Sequence, residues 1–160
     1  LRSVSNPAVF AAGDAAAKGP PLTPVASLDA GVVARNLLEG CHHRPDYAGV
    51  ASTVFTIPPL AAVGLTEAAA REQGLEVLVK VGDMAGYQSV RRVGETAAAF
   101  KVLVEATTDR VLGAHLLGPQ AEEVINLFAL AIRHRLPAEA LGDMLTAYPS
   151  GGSNVSGMLQ

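Results

Sequence analysis

The sequence predicts an α+β fold: an antiparallel sheet with helices on one face, preceded by a strand-helix segment. Three observations carry this. Two β-rich runs, 98–105 and 110–117, flank a Thr107–Asp109 turn and read as a hairpin. Residues 121–134 place Val124, Leu127, Phe128, Ala131 and Ile132 on one stripe at helical spacing. The order strand, helix, strands, hairpin, helices has no βαβα alternation, so the sheet of the second unit is antiparallel rather than doubly wound.

Taken in order, Ala8–Ala12 is an apolar run after the turn-forming Ser5-Asn6-Pro7, so Val9–Ala12 is expected to be a short buried strand ending at Gly13-Asp14. A strand of that length needs partners, and these are expected upstream. Thr23-Pro24 opens a helix, with Thr23 as a candidate cap and Gly40 as the stop. Residues 41–50 read as a linker, dividing a first unit (1–40) from a second (51–160). Within the second, strands are expected at 52–56, 62–65 and 75–82, a helix from Thr66 to Gly74, and a short helix after Pro137. Beyond Tyr148-Pro149 the Gly/Ser-rich tail reads as loose.

Apolar residues make up 49% of the chain and charged residues 17%, which supports a buried core and argues against disorder. A net charge of −3 without a basic stripe argues against nucleic acid. No apolar run approaches the roughly 20 residues that span a bilayer. A single cysteine, Cys41, excludes an internal disulfide and fits a reducing, cytoplasmic setting.

Three stretches together resemble the FAD-dependent pyridine nucleotide–disulfide oxidoreductases, the family of glutathione reductase, dihydrolipoamide dehydrogenase and mercuric reductase. They are Val9-Phe10-Ala11-Ala12-Gly13-Asp14 with Leu22-Thr23-Pro24-Val25-Ala26; Asp46-Tyr47 with Val54 through Glu67; and Phe100-Lys101-Val102 with Val111–His115 and Gly118–Glu123. The resemblance covers nearly the whole chain and implies the end of an FAD-binding domain followed by the dimerisation, or interface, domain. It further implies a homodimer, partnership with upstream FAD and NAD(P)H domains of one parent protein, and FAD and NAD(P)H as that parent's cofactors. The isolated chain is expected to retain neither cofactor and to be inactive alone, since it has no paired cysteines and no Gly-x-Gly-x-x-Gly fingerprint.

The resemblance assigns Gly13, Asp14, Leu22, Thr23 and Ala26 to the flavin side. Chemically, an aspartate after a buried strand accepts hydrogen bonds from ligand hydroxyls, and Gly13 allows close approach to the backbone. A helix start offers N–H groups and a positive dipole end to an electron-rich group. A plain Gly-Asp turn and ordinary helix capping account for the same residues.

The family's tail signature is His-Pro-Thr-x-x-Glu, whose histidine serves the partner subunit's thiols as general base and acid and whose glutamate orients it. Here Tyr148 stands at the His position and Ser153 at or near the Glu position. A phenol, with an ordinary pKa of about 10, donates a hydrogen bond but is a poor base at neutral pH. A non-enzymatic dimerisation module with a decayed site is therefore the competing reading. The Pro58-Pro59 pair looks most like the glutathione reductase branch, while the tail matches neither that branch nor the cysteine-ended mercuric reductases.

The remaining polar residues have plainer expectations. His42 and His43 beside Cys41 fit no standard metal spacing, and adjacent side chains usually point apart, so a solvated linker and no metal site are expected. His115 reads as a sheet residue, His134 as helix-dipole compensation, and Tyr87 with Arg91-Arg92 as irregular surface.

Overall fold

The computed structural model describes residues 1–160 and divides into two compact units, Leu1–Tyr47 and Ala48–Gln160. The break falls inside the 41–50 stretch.

In the first unit, Val9–Ala12 is not a strand. Only an isolated bridge forms, between Arg2 and Phe10. A ladder needs a neighbouring strand to receive its N–H and C=O groups, and residues 1–3 supply little more than that bridge. After a single 3-10 turn at Gly13–Ala15 comes helix α1, Thr23–Glu39. Its cap position is Leu22, in extended conformation, with Thr23 and Pro24 already helical and no side chain capping the end. The expected Thr23 cap is thus displaced by one residue. Val25, Asp29, Val32 and Asn36 are the buried residues of α1, spaced by four, three and four along one face.

The second unit is built on a five-stranded antiparallel sheet in the order β1-β2-β5-β4-β3. The strands are β1 Ala51–Val54, β2 Leu60–Gly64, β3 Val77–Asp83, β4 Ala99–Glu105 and β5 Val111–Leu117. Alternation puts Ala61 and Val63 of β2, Phe100, Val102 and Val104 of β4, and Ala114 and Leu116 of β5 into one core. Helix α4, Ala121–His134, covers that face with Val124, Ile125, Phe128 and Ala131. The periodic stripe is core, and the expected bounds of this helix are the observed ones.

Helix α2, Glu67–Glu72, lies over the opposite face, where Lys101 Nζ meets Glu67 Oε2 at 2.7 Å and His115 Nε2 lies 3.3 Å from the Leu65 carbonyl oxygen. Gly113 makes this crossing possible. A Cβ there would lie 2.1 Å from the Leu65 carbonyl oxygen. Helix α3, Gln88–Arg91, and helix α5, Ala138–Gly142, are short.

The tail is ordered rather than loose. A 3-10 turn, Gly152–Asn154, leads into helix α6, Val155–Met158, and Val155 and Met158 are in the core. Its glycines are there for contact: a Cβ at Gly151 would meet Gln120 Oε1 and Val124 Cγ2 at 2.8 Å, and one at Gly157 would meet the Tyr87 hydroxyl at 2.8 Å. Tyr87 accordingly packs against the core instead of lying in irregular surface. Ser89 Oγ also donates to Asn154 Oδ1, buried, at 2.9 Å.

Candidate functional site

In the first unit, Gly13 has φ +60°, the left-handed region that favours glycine. The space a Cβ would take is filled from within: it would lie 2.9 Å from Ala26 Cβ. Gly13 and Ala26 are therefore a packing pair between the turn and α1, and a side chain at this position would meet both that contact and the left-handed backbone. The Gly13 N–H donates to Asp29 Oδ2 at 3.0 Å, and the Tyr47 hydroxyl donates to Asp29 Oδ1 at 2.8 Å. Asp29 is fully buried, so these two donors hold a carboxylate that would otherwise be costly to desolvate. Burial, the bond to Asp29 and that residue's charge push the Tyr47 hydroxyl up to about 12.

This arrangement fixes the turn that carries Asp14. Asp14 is exposed and its carboxylate makes no hydrogen bond in the chain. Leu22 and Thr23 form the uncapped start of a 17-residue helix, where first-turn N–H groups and the dipole favour an electron-rich ligand. Nothing in the sequence pattern pairs Asp29 with Tyr47. The available signal was two polar residues, Asp29 and Asn36, spaced as members of an otherwise valine-lined helix face.

At the other end of α1, Asn36 is the buried residue that organises the chain. Its Oδ1 accepts from the His43 N–H at 2.9 Å and its Nδ2 donates to the His43 carbonyl at 3.0 Å. The turn through Gly40, at φ +99°, then brings His42 and His43 to the same side, ring centroids 4.2 Å apart. His43 Nε2 and Glu39 Oε2 are 2.8 Å apart. The expectation that adjacent histidines diverge fails because that rule belongs to extended chain, and here the backbone turns.

In the second unit, Tyr148 is 77% exposed and its hydroxyl makes no hydrogen bond within the chain. The Tyr148-Pro149 peptide is cis. Ser153 makes no hydrogen bond to Tyr148. Its hydroxyl donates to the Ser150 carbonyl at 2.7 Å and accepts from the Ser150 N–H at 3.1 Å. The two serines close a turn, so no acidic or hydroxyl group orients Tyr148. The turn is anchored by Gln120, whose Oε1 accepts from the Gly151 N–H at 2.9 Å. The role of Gln120 is not legible in the sequence, because its left-handed backbone (φ 64°) at the start of α4 leaves no mark on the pattern.

A five-stranded antiparallel sheet covered by one long helix, with an ordered tail that presents an exposed tyrosine, defines an α+β domain class. Residues 50–158 match the pyridine nucleotide-disulphide oxidoreductase dimerisation domain, and the chain belongs to that family. It is 46% identical over 160 residues to a Staphylococcus aureus protein described as an uncharacterized 19.7 kDa protein in a mercuric resistance operon, covering 99% of this chain and 89% of that protein. Mercuric reductase of Lysinibacillus sphaericus is 34% identical over 90% of this chain, and human mitochondrial dihydrolipoyl dehydrogenase is 35% identical over 90%. The chain spans only 26% and 28% of those two enzymes. Among solved structures, the HOCl-induced flavoprotein disulfide reductase RclA of Escherichia coli superposes with a TM-score of 0.84 at 32% identity. That match covers 94% of this chain and 34% of RclA. No helix is long and apolar enough to cross a membrane.

Proposed function

We propose that this chain is the homodimerising part of a cytoplasmic, FAD- and NAD(P)H-dependent oxidoreductase and is inactive by itself. The observation that carries the pairing is apolar exposure in the second unit. Phe55 is 81% exposed and Ile57 98% exposed, beside the sheet-edge strand β1, and Leu145 is fully exposed three residues before Tyr148. Water contact on side chains of this size is unfavourable by about 1.5–3 kcal/mol each relative to burial, and an isologous contact with a second copy removes it twice.

The flavin side of the proposal rests on Asp14 and on the uncapped α1 start at Leu22-Thr23. The exposed carboxylate suits ligand hydroxyls, and the free helix end suits a flavin's electron-rich edge. FAD would supply two-electron transfer between nicotinamide and acceptor. Gly13 and Ala26 would act behind Asp14, by fixing the turn. Residues 1–40, with 41–50 as a linker, would be the part belonging to the FAD domain, and 51–160 the interface domain. At the tail, Tyr148 would offer a hydrogen-bond donor to the partner subunit's acceptor site, while Ser153 shapes the turn that carries it.

Sedimentation equilibrium tests the pairing. A dimer is expected at high micromolar concentration, with Ile57→Asp shifting it toward monomer; a strictly monomeric chain overturns the reading. The purified chain is also expected to carry no absorbance near 450 nm, since flavin is not retained.

A second reading, a dimerisation module without a redox centre, is favoured by the similarity to a staphylococcal protein of nearly equal length. The reading frame ahead of Leu1 separates the two. A Cys-x4-Cys pair with a nucleotide fingerprint supports the oxidoreductase, and their absence supports the module.

A further inference from the structure

We propose that Glu39, His42 and His43 form a binding site for a borderline divalent transition metal, of which Zn2+ is the representative, at the C-terminal end of α1. The three side chains offer one carboxylate oxygen and two imidazole nitrogens, all within 4.8 Å of one another. An oxygen-plus-two-nitrogen set is a donor combination that zinc accepts, with bonds of about 2.0–2.2 Å. Tetrahedral zinc needs ligand atoms about 3.4 Å apart, as follows from those bond lengths. No pair of these atoms is more than 4.8 Å apart, so no separation has to close by more than about 1.4 Å to reach that spacing. Glu39 and His42 are exposed and His43 is half-buried, so a metal reaches the cluster from solvent and keeps open positions for water.

Three features argue that the cluster is built rather than incidental. First, the side chain of Asn36, itself buried, grips the His43 backbone through both its oxygen and its nitrogen. That pins a ligand-bearing residue to the helix, the support that raises metal affinity when ligands are pre-positioned. Second, the turn through Gly40 is closed by the His42 N–H donating to the Gly40 carbonyl at 2.9 Å, which sets both rings on one side of the chain. Third, α1 ends with no basic residue in its last turn. The partial negative charge of its last carbonyls is left for a cation to complement, and Glu39 adds a full negative charge. Cys41 is turned to the Asn36 carbonyl, 3.9 Å away, and is outside the ligand set.

The test is isothermal titration calorimetry of the 160-residue chain with ZnSO4, repeated on Cys41→Ser, Glu39→Gln, His42→Ala, His43→Ala and His134→Ala. One saturable equivalent is expected in the unchanged chain, in Cys41→Ser and in His134→Ala. His42→Ala and His43→Ala should each weaken it at least tenfold. Glu39→Gln, which keeps a hydrogen-bonding partner for His43 and alters an exposed position, should weaken it without changing the far-UV circular dichroism. The proposal is overturned if no saturable equivalent binds, if the affinity survives His42→Ala and His43→Ala, or if it is lost in Cys41→Ser or His134→Ala.

Discussion

The buried Asp29 carboxylate makes the sharpest prediction for the first unit. Tyr47→Phe removes the 2.8 Å hydrogen bond to Asp29 and leaves the ring. A hydrogen bond to a charged group contributes about 1.5–3 kcal/mol. The raised pKa gives a second figure. Burial first, then the bond to Asp29 and its charge, push the Tyr47 hydroxyl from 10.0 to about 12; each unit corresponds to about 1.4 kcal/mol, so the share due to the bond lies below a ceiling of about 2.8 kcal/mol. Tyr47 is half-buried, and solvent screening lowers this to about 1–2 kcal/mol. Because the folded pKa lies above the unfolded one, this stabilisation is complete below pH 10 and is lost as pH rises through 12. The direct assay is tyrosinate absorbance during alkaline titration. The ionisation step near pH 12 should vanish in Tyr47→Phe. Urea unfolding at pH 8, followed by amide exchange in α1, should show the 1–2 kcal/mol loss. An unchanged late titration step in Tyr47→Phe, or unchanged exchange protection in α1, would refute the reasoning.

Other outcomes follow from the second unit. Gly113→Ala forces a Cβ to within 2.1 Å of the Leu65 carbonyl oxygen and is expected to cost about 3 kcal/mol, read as a lowered urea midpoint. Phe128→Ala empties a fully buried site between α4 and the sheet; about 3–5 kcal/mol should be lost in the same measurement. Glu67 is held below the usual carboxylate range by its bonds to Lys101 and Arg71. Its stabilising share is present above pH 4.5 and falls as pH drops through its lowered folded value, so Glu67→Gln should flatten the change of Tm between pH 5 and 3, with the difference shrinking in high salt. In a dimeric parent oxidoreductase, Tyr148→Phe should lower turnover with little effect on the dimer measured by sedimentation; unchanged turnover and pH profile would remove Tyr148 from the site.

The sequence by itself determined the α+β class, the hairpin, and helix 121–134, because hydrophobic periodicity is a local property that the core then satisfies. It also carried the family, through motifs that keep their order and spacing. Tertiary structure decided what each polar or small residue is for. Gly13 reads as a place for a ligand, and only the close approach of Ala26 reveals a packing contact. The tail reads as loose because Gly and Ser resist order locally, yet Gln120, Val124 and Tyr87 press on Gly151 and Gly157 from residues 27 or more positions away. Asp29 and Asn36 are unremarkable letters in a helix until burial forces each to find partners. For Asn36 the partner is the backbone of His43, and that turn sets two histidines and Glu39 side by side. Spacing along the chain carries no information about such a turn; the direction of the backbone after Gly40 does.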